Sequence, residues 1–283
     1  MNRCGLMRIL SIINCEMNNC GMQVILLVYF ILVIFVSFSA AADEDTIAQI
    51  SLITESDDIT KPFYIGLYFE MEPDWYIYWE NPGDAGIPVD VQWELPDGYS
   101  ISELIYPTPE RFDTQGLISF GFKDEALLFA KVTPPSSQTG NHEQIISADV
   151  SWMVCKESCI LEEGTAELDL LNAEPTPGLF DKYKNKLPEP LAHSSTRVST
   201  VESLKRDGRF YISIHLEGDP VADFFPGPVE DFILSHKDIE ISDHKISYTL
   251  RPYSDTTVVE EVSGLLFIDD VAFHFNEPVS VLD

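Results

Sequence analysis

Basic residues are scarce in this chain. Lys and Arg total 17 against 47 Asp and Glu in 283 residues, a formal net charge of −30. A surface of that sign repels phosphate backbones, which excludes nucleic acid as a partner and makes anionic membranes a poor one. The excess acid reads as a solubility or salt adaptation and says nothing about fold. Long apolar runs are few too: none follows Ala42, so no second membrane segment is expected. No Gly-x-Ser-x-Gly elbow and no glycine-rich phosphate loop is present, which removes the commonest hydrolase and nucleotide-binding signatures. Cysteine is almost absent. Five are encoded, and Cys4, Cys15 and Cys20 precede the one apolar run, leaving only Cys155 and Cys159 beyond it.

That run spans Val24 to Ala42, with Arg3 and Arg8 before it and Asp43, Glu44 and Asp45 after it. Positive charge before and acid after predicts that the remainder is exported. Ala40, Ala41 and Ala42 fit the small-residue cleavage pattern of a signal peptide, so residues 1–42 are expected to be removed. An uncleaved anchor is the rival, since 19 residues just span a bilayer.

An isolated cysteine pair in an oxidising compartment is expected to form a disulfide. Three uses are open. As a staple, a loop this short contributes only ~2 kcal/mol of chain entropy. As a zinc site, the pair lacks two ligands, because no His lies within ten residues of it. As a redox pair, it gains from the strain that a short loop imposes, which makes the bond easier to reduce. Lys156 favours the Cys155 thiolate, while Glu157, Glu162 and Glu163 oppose it.

The hydrophobic pattern is that of an all-β protein. Ile146, Ala148, Val150, Trp152 and Val154 alternate with polar neighbours and run straight into Cys155, which places the pair where a strand ends and turns. Further strands are expected at Phe63–Glu70, Val89–Trp93, Ala126–Val132 and Thr165–Leu171. Asn81-Pro82-Gly83-Asp84, Pro96-Asp97-Gly98 and Pro134-Pro135 punctuate them. Close spacing of short strands predicts a β-sandwich over residues 43–172. Residues 173–195 hold Pro175, Pro177, Pro188 and Pro190 and read as a linker, with one possible helical turn near Leu179–Lys184. Strands resume at Arg209–Leu216, Ile246–Leu250, Ser263–Ile268 and Ala272–Phe275, which predicts a second, small sandwich over 196–283.

Two strings carry a family resemblance. One runs from Trp75 through Asn81-Pro82-Gly83-Asp84-Ala85-Gly86-Ile87 to Pro88. The other runs from Asp149 through Trp152-Met153-Val154-Cys155-Lys156-Glu157-Ser158-Cys159 to Ile160, closing with Glu162-Glu163. Tyr106-Pro107-Thr108-Pro109-Glu110-Arg111 lies between them. In this order they resemble the N-terminal periplasmic region of DsbD-type protein-disulfide reductases, specifically the suppressor-of-copper-sensitivity (ScsB-like) branch. Asp223-Phe224-Phe225-Pro226 and Ser263-Gly264-Leu265-Leu266 match more loosely. The resemblance implies immunoglobulin-like folds, a periplasmic location, and Cys155 and Cys159 as the catalytic pair of a protein-disulfide reductase component. The implied partners are thioredoxin-like or other disulfide-bearing periplasmic proteins. Full-length members continue into a membrane domain and a thioredoxin-like domain. This chain stops at Asp283, so either a separate membrane reductase is expected as electron donor, or the sequence is a fragment of a longer reductase, or the module has another role. Exchange of this kind needs no metal, nucleotide or flavin cofactor.

Other readings compete. The pair is a structural disulfide if the protein is a non-enzymatic immunoglobulin-like binding module. Exposed aromatics would instead suit a hydrolase or glycan binder. Trp75, Ile77 and Trp79 alternate as core residues before a rigid turn, or else line a docking surface. Trp152 reads as core, and His142, His193, His215, His236, His244 and His274 as scattered surface residues.

Overall fold

In the computed structural model the described residues are 46–282, except 115, 137–143, 230, 243 and 255. The expected signal segment and His142 lie outside them.

Ten strands build the first sandwich: β1 (Ala48–Thr54), β2 (Phe63–Met71), β3 (Tyr76–Gly83), β4 (Asp90–Glu94), β5 (Ser100–Ile101), β6 (Glu110–Thr114), β7 (Leu117–Lys123), β8 (Glu125–Thr133), β9 (Ile145–Cys155) and β10 (Cys159–Asp169). One sheet runs β1-β2-β8-β5; the other runs β10-β9-β3-β7-β6, with β4 also on β9. The alternation in β9 is decisive here. Ile146, Ala148, Val150, Trp152 and Val154 are all buried between the sheets, because a strand turns every second side chain to one face. Trp152 meets Phe69 edge to face and donates from its indole Nε1 to Glu162, so its polar atom is satisfied in the core.

The second sandwich repeats the plan with β11 (Glu189–Pro190), β12 (Arg197–Arg206), β13 (Arg209–Glu217), β14 (Asp223–Pro226), β15 (Phe232–Leu234), β16 (Glu240–Ser242), β17 (Lys245–Pro252), β18 (Glu261–Ile268), β19 (Val271–Pro278) and β20 (Ser280–Leu282). Its sheets run β11-β19-β18-β14 and β15-β17-β13-β12-β20, with β16 on β17. The expected strands are all present. Those that were not anticipated are mostly short or mostly exposed. β12, for example, buries only Val201 and Ser203, too few to set up an apolar alternation.

The proline-rich stretch between the sandwiches is well packed. Helix α1 (Pro177–Lys184) starts at a proline, whose missing N–H costs nothing in the first turn. It buries Phe180 and Tyr183 against Leu127 and Phe129 of β8. Lys182 and Lys184 pair with Glu125 and Glu55 of the first sandwich. Among the described residues, no helix is long and apolar enough to cross a membrane.

Candidate functional site

The hairpin β9–β10 places Cys155 directly opposite Cys159, with their Cα atoms 4.2 Å apart, and the two are disulfide-bonded. Opposed residues of an antiparallel pair point to one face, so a three-residue turn brings the sulfurs together without bending the strands. The two ends of the bridge differ in exposure. Cys159 is exposed, whereas Cys155 is 1% exposed. The pair sits where a strand ends and turns, as expected, but only one of its sulfurs belongs to an exposed residue. Cys155 is covered because β3 pairs beside it, with Tyr76 in register with Cys155 and Ile77 with Val154.

Period two then sorts β3. Ile77 and Trp79 enter the core, while Tyr76 and Tyr78 turn to the face that carries Cys155. The Tyr78 hydroxyl lies 2.9 Å from Cys155 Sγ and 3.7 Å from Cys159 Sγ. Burial pushes the Tyr78 phenol well above its ordinary pKa, so it stays protonated and able to donate to sulfur. Phe112 of β6 stacks on Tyr76 at 4.5 Å, and Phe112 and Met153 pack against the Tyr76–Tyr78–Cys155 cluster. Gly86, at φ +117°, lies flat against the Tyr78 ring, and a Cβ there would come within 2.3 Å of ring carbon. Alternation alone could assign Trp75, Ile77 and Trp79, but it could not show that the intervening tyrosines are buried under a further layer.

Two of the charges beside the pair, Lys156 and Glu162, are engaged elsewhere. The Lys156 ammonium donates to the Pro73 carbonyl at 3.0 Å and lies 3.5 Å from Asp74. Hydrogen bonding and attraction from Lys123, with Lys156 adding to it, hold the Asp74 carboxyl below its usual range. Glu162 accepts from Trp152 Nε1 and from the Ile47 and Ala48 amides. Among the described residues, no group of His, Cys, Asp or Glu gathers as a metal site.

The Asn81–Asp84 turn does more than reverse the chain. The β3–β7 register breaks between Tyr78 and Gly83, a bulge that frees the turn to reach the second sandwich. Asn81, itself buried, accepts from the Gly83 amide and donates to the carbonyls of Pro226 and Gly227. Asp84 accepts from the Ile118 amide, the His236 amide and His236 Nδ1 at 2.8, 3.0 and 3.1 Å. Burial opposes its ionisation, but these donors overcome that and leave its pKa lowered. His236 is thus a buried residue of this junction, not a surface histidine: its ring stacks edge-on to Phe120, itself in the first core. Burial, opposed by Asp84, lowers its pKa, and Nε2 has no hydrogen-bond partner among the described residues. No sequence pattern could have paired Asp84 with His236 across 152 positions.

A β-sandwich with one bridged hairpin under an aromatic cover is the class of domain defined here. Residues 46–171 match the family model described as thiol:disulfide interchange protein DsbD, N-terminal. The match supports a DsbD/ScsB-type N-terminal domain over these residues, and the fold is immunoglobulin-like. Among solved structures, the N-terminal periplasmic domain of ScsB from Proteus mirabilis superposes with a TM-score of 0.61 at 22% identity, covering 85% of this chain and 96% of that one. Titin Ig tandem domains A164–A165 align at 10% identity over 83% of this chain and 97% of that one, with a TM-score of 0.21. The periplasmic chaperone SfaE gives 10%, 83%, 100% and 0.22 for the same measures. No curated protein matches the sequence significantly.

Proposed function

We propose that the chain is a periplasmic thiol-disulfide interchange module that passes electrons through Cys155 and Cys159. The observation that carries this reading is the asymmetry of the bridge. Cys159 is exposed at a hairpin end, while Cys155 is buried with a protonated tyrosine hydroxyl 2.9 Å from its sulfur. The family match and the periplasmic origin of the ScsB relative support both the chemistry and the location.

The chemistry balances as two thiol–disulfide exchanges. A donor dithiol first reduces the bridge: its thiolate attacks Cys159 Sγ, and Cys155 leaves as a thiolate. The Tyr78 hydroxyl then faces a developing negative charge, which a hydrogen-bond donor stabilises. The donor's second thiol resolves the mixed disulfide, so two electrons and two protons reach the pair. In the second exchange the Cys159 thiolate attacks a partner disulfide, and Cys155 displaces the partner as a dithiol, restoring the bridge. Exposure favours Cys159 as the sulfur that contacts partners, against the weaker argument from Lys156, whose charge is taken up by Asp74.

The test is a trap. Cys155→Ser leaves a lone Cys159 and is expected to accumulate mixed disulfides with periplasmic dithiol–disulfide proteins; Cys159→Ser is expected to accumulate none. Absence of any adduct with both variants would sink the reading. A bridge potential below about −300 mV would point instead to a binding module with a structural disulfide.

A further inference from the structure

Strand β6 faces two ways. Phe112 lies over Tyr76 beside the bridge, and its chain neighbour Arg111 points the other way, because consecutive side chains of a strand alternate. What Arg111 meets belongs to the second sandwich. Its guanidinium donates to Asp223 at 2.7 Å and to the Phe224 carbonyl at 3.4 Å. It also stacks over the Phe225 ring at 4.9 Å and lies 5.7 Å from Phe120. Phe225 in turn packs on Phe120 at 4.4 Å and, with Leu265, completes the first core.

β6 has little else to hold it. It is an edge strand whose sheet partner is β7. Edge strands with one partner open more readily than central ones. Phe112 is only partly buried, so its place over the Tyr76–Tyr78–Cys155 cluster depends on where β6 lies. The turn beyond β6 points the same way: Gly116 lies close to the Lys237 ammonium of the second sandwich.

We infer that Arg111 is a positioning residue through which the second sandwich holds Phe112 over the Tyr76–Tyr78–Cys155 cluster and so sets access to the buried end of the bridge. The inference rests on the reading of that bridge as an exchange site. It gives the second sandwich, which has no cysteine, a part in the chemistry of the first. The anchor is a half-exposed ion pair reinforced by a cation–π contact, so its loss should change rates by roughly three- to ten-fold rather than by orders of magnitude.

The experiment follows reduction of the bridge in the full chain by excess dithiothreitol under native conditions, read by thiol alkylation, with urea unfolding run in parallel. Arg111→Gln and Asp223→Asn are each expected to speed reduction about five-fold, and their combination no further. Phe112→Ala is expected to speed it at least as much, and adding Arg111→Gln to Phe112→Ala should bring no further gain. Arg111→Lys, which keeps the charge and loses the fork, should restore part of the protection. A rate unchanged in Arg111→Gln while unfolding shifts would reduce Arg111 to a structural role and overturn the inference. So would a gain that adds in full to that of Phe112→Ala. If Arg111→Gln does not fold, salt keeps the question open to test. Added NaCl screens the ion pair, and its acceleration should be larger in the unaltered chain than in Asp223→Asn; equal responses overturn the inference. Trapping of partners by Cys155→Ser is scored separately. Trapped partners with unchanged Arg111→Gln rates remove the anchor alone, and altered rates without trapped partners remove the interchange function alone.

Discussion

The two sandwiches share a plan, a four-stranded sheet packed on a six-stranded one, yet they use the outer face of the larger sheet differently. In the second sandwich β13 buries every other residue and leaves Tyr211 40% exposed on the outside. In the first, β3 is buried on both faces from Tyr76 to Trp79. The added layer there, Phe112 over Tyr76 and Gly86 against Tyr78, is what turns one end of a sheet into an enclosed site for Cys155. A sandwich core is generic; the bridged cysteine pair sits where a strand carries a second buried face.

That contrast can be broken most strongly from the inside. Trp79 is buried in the first core and meets Phe120 edge to face, so Trp79→Ala is expected to cost about 3–5 kcal/mol in urea unfolding. Tyr211→Ala on the open outer face of the second sandwich should stay within about 0.5 kcal/mol. Equal losses would mean that the core face of β3 carries no more packing energy than the open outer face of β13.

A subtler change sharpens the comparison at the tyrosine layer. Tyr78→Phe keeps the ring and removes only the hydroxyl beside Cys155 Sγ. Stability should move by about 1 kcal/mol, whereas reduction of the bridge should slow about ten-fold, since hydrogen bonds to charged groups are the stronger ones. Stopped-flow reduction by dithiothreitol reads this, and an unchanged rate would leave Tyr78 as packing alone.

The smallest expected effect lies at the junction between the sandwiches. Burial holds the His236 pKa below its unfolded value, so the unfolded chain binds the proton first as pH falls. His236 therefore contributes stability that is complete above about pH 6.5 and is lost as pH falls from there toward its folded pKa. Asp84, also lowered, adds a loss in the same direction only below its unfolded carboxylate pKa. His236→Asn should flatten the stability profile between pH 7 and 5 relative to the unaltered chain, as measured by urea midpoints. An unchanged profile would show that the buried ring does not titrate in that window.

Much of this was legible in the chain. The alternation from Ile146 to Val154 set the inward face of β9, carried Trp152 into the core and delivered Cys155 to a strand end. The isolation of two cysteines four positions apart made their bridge an expectation, and the hairpin register realises it. These features are local: period, spacing and turn chemistry act over a few residues, so the linear order contains them. Which sulfur is exposed, which tyrosine touches it, and that Asn81, Asp84 and Arg111 reach the second sandwich were settled only by tertiary structure. Each depends on segments far apart in sequence coming together, as with Tyr76 beside Cys155, Arg111 beside Asp223 and Asp84 beside His236. Burial of a polar or sulfur atom is a property of what packs over it, and the covering residues lie tens to more than a hundred positions away.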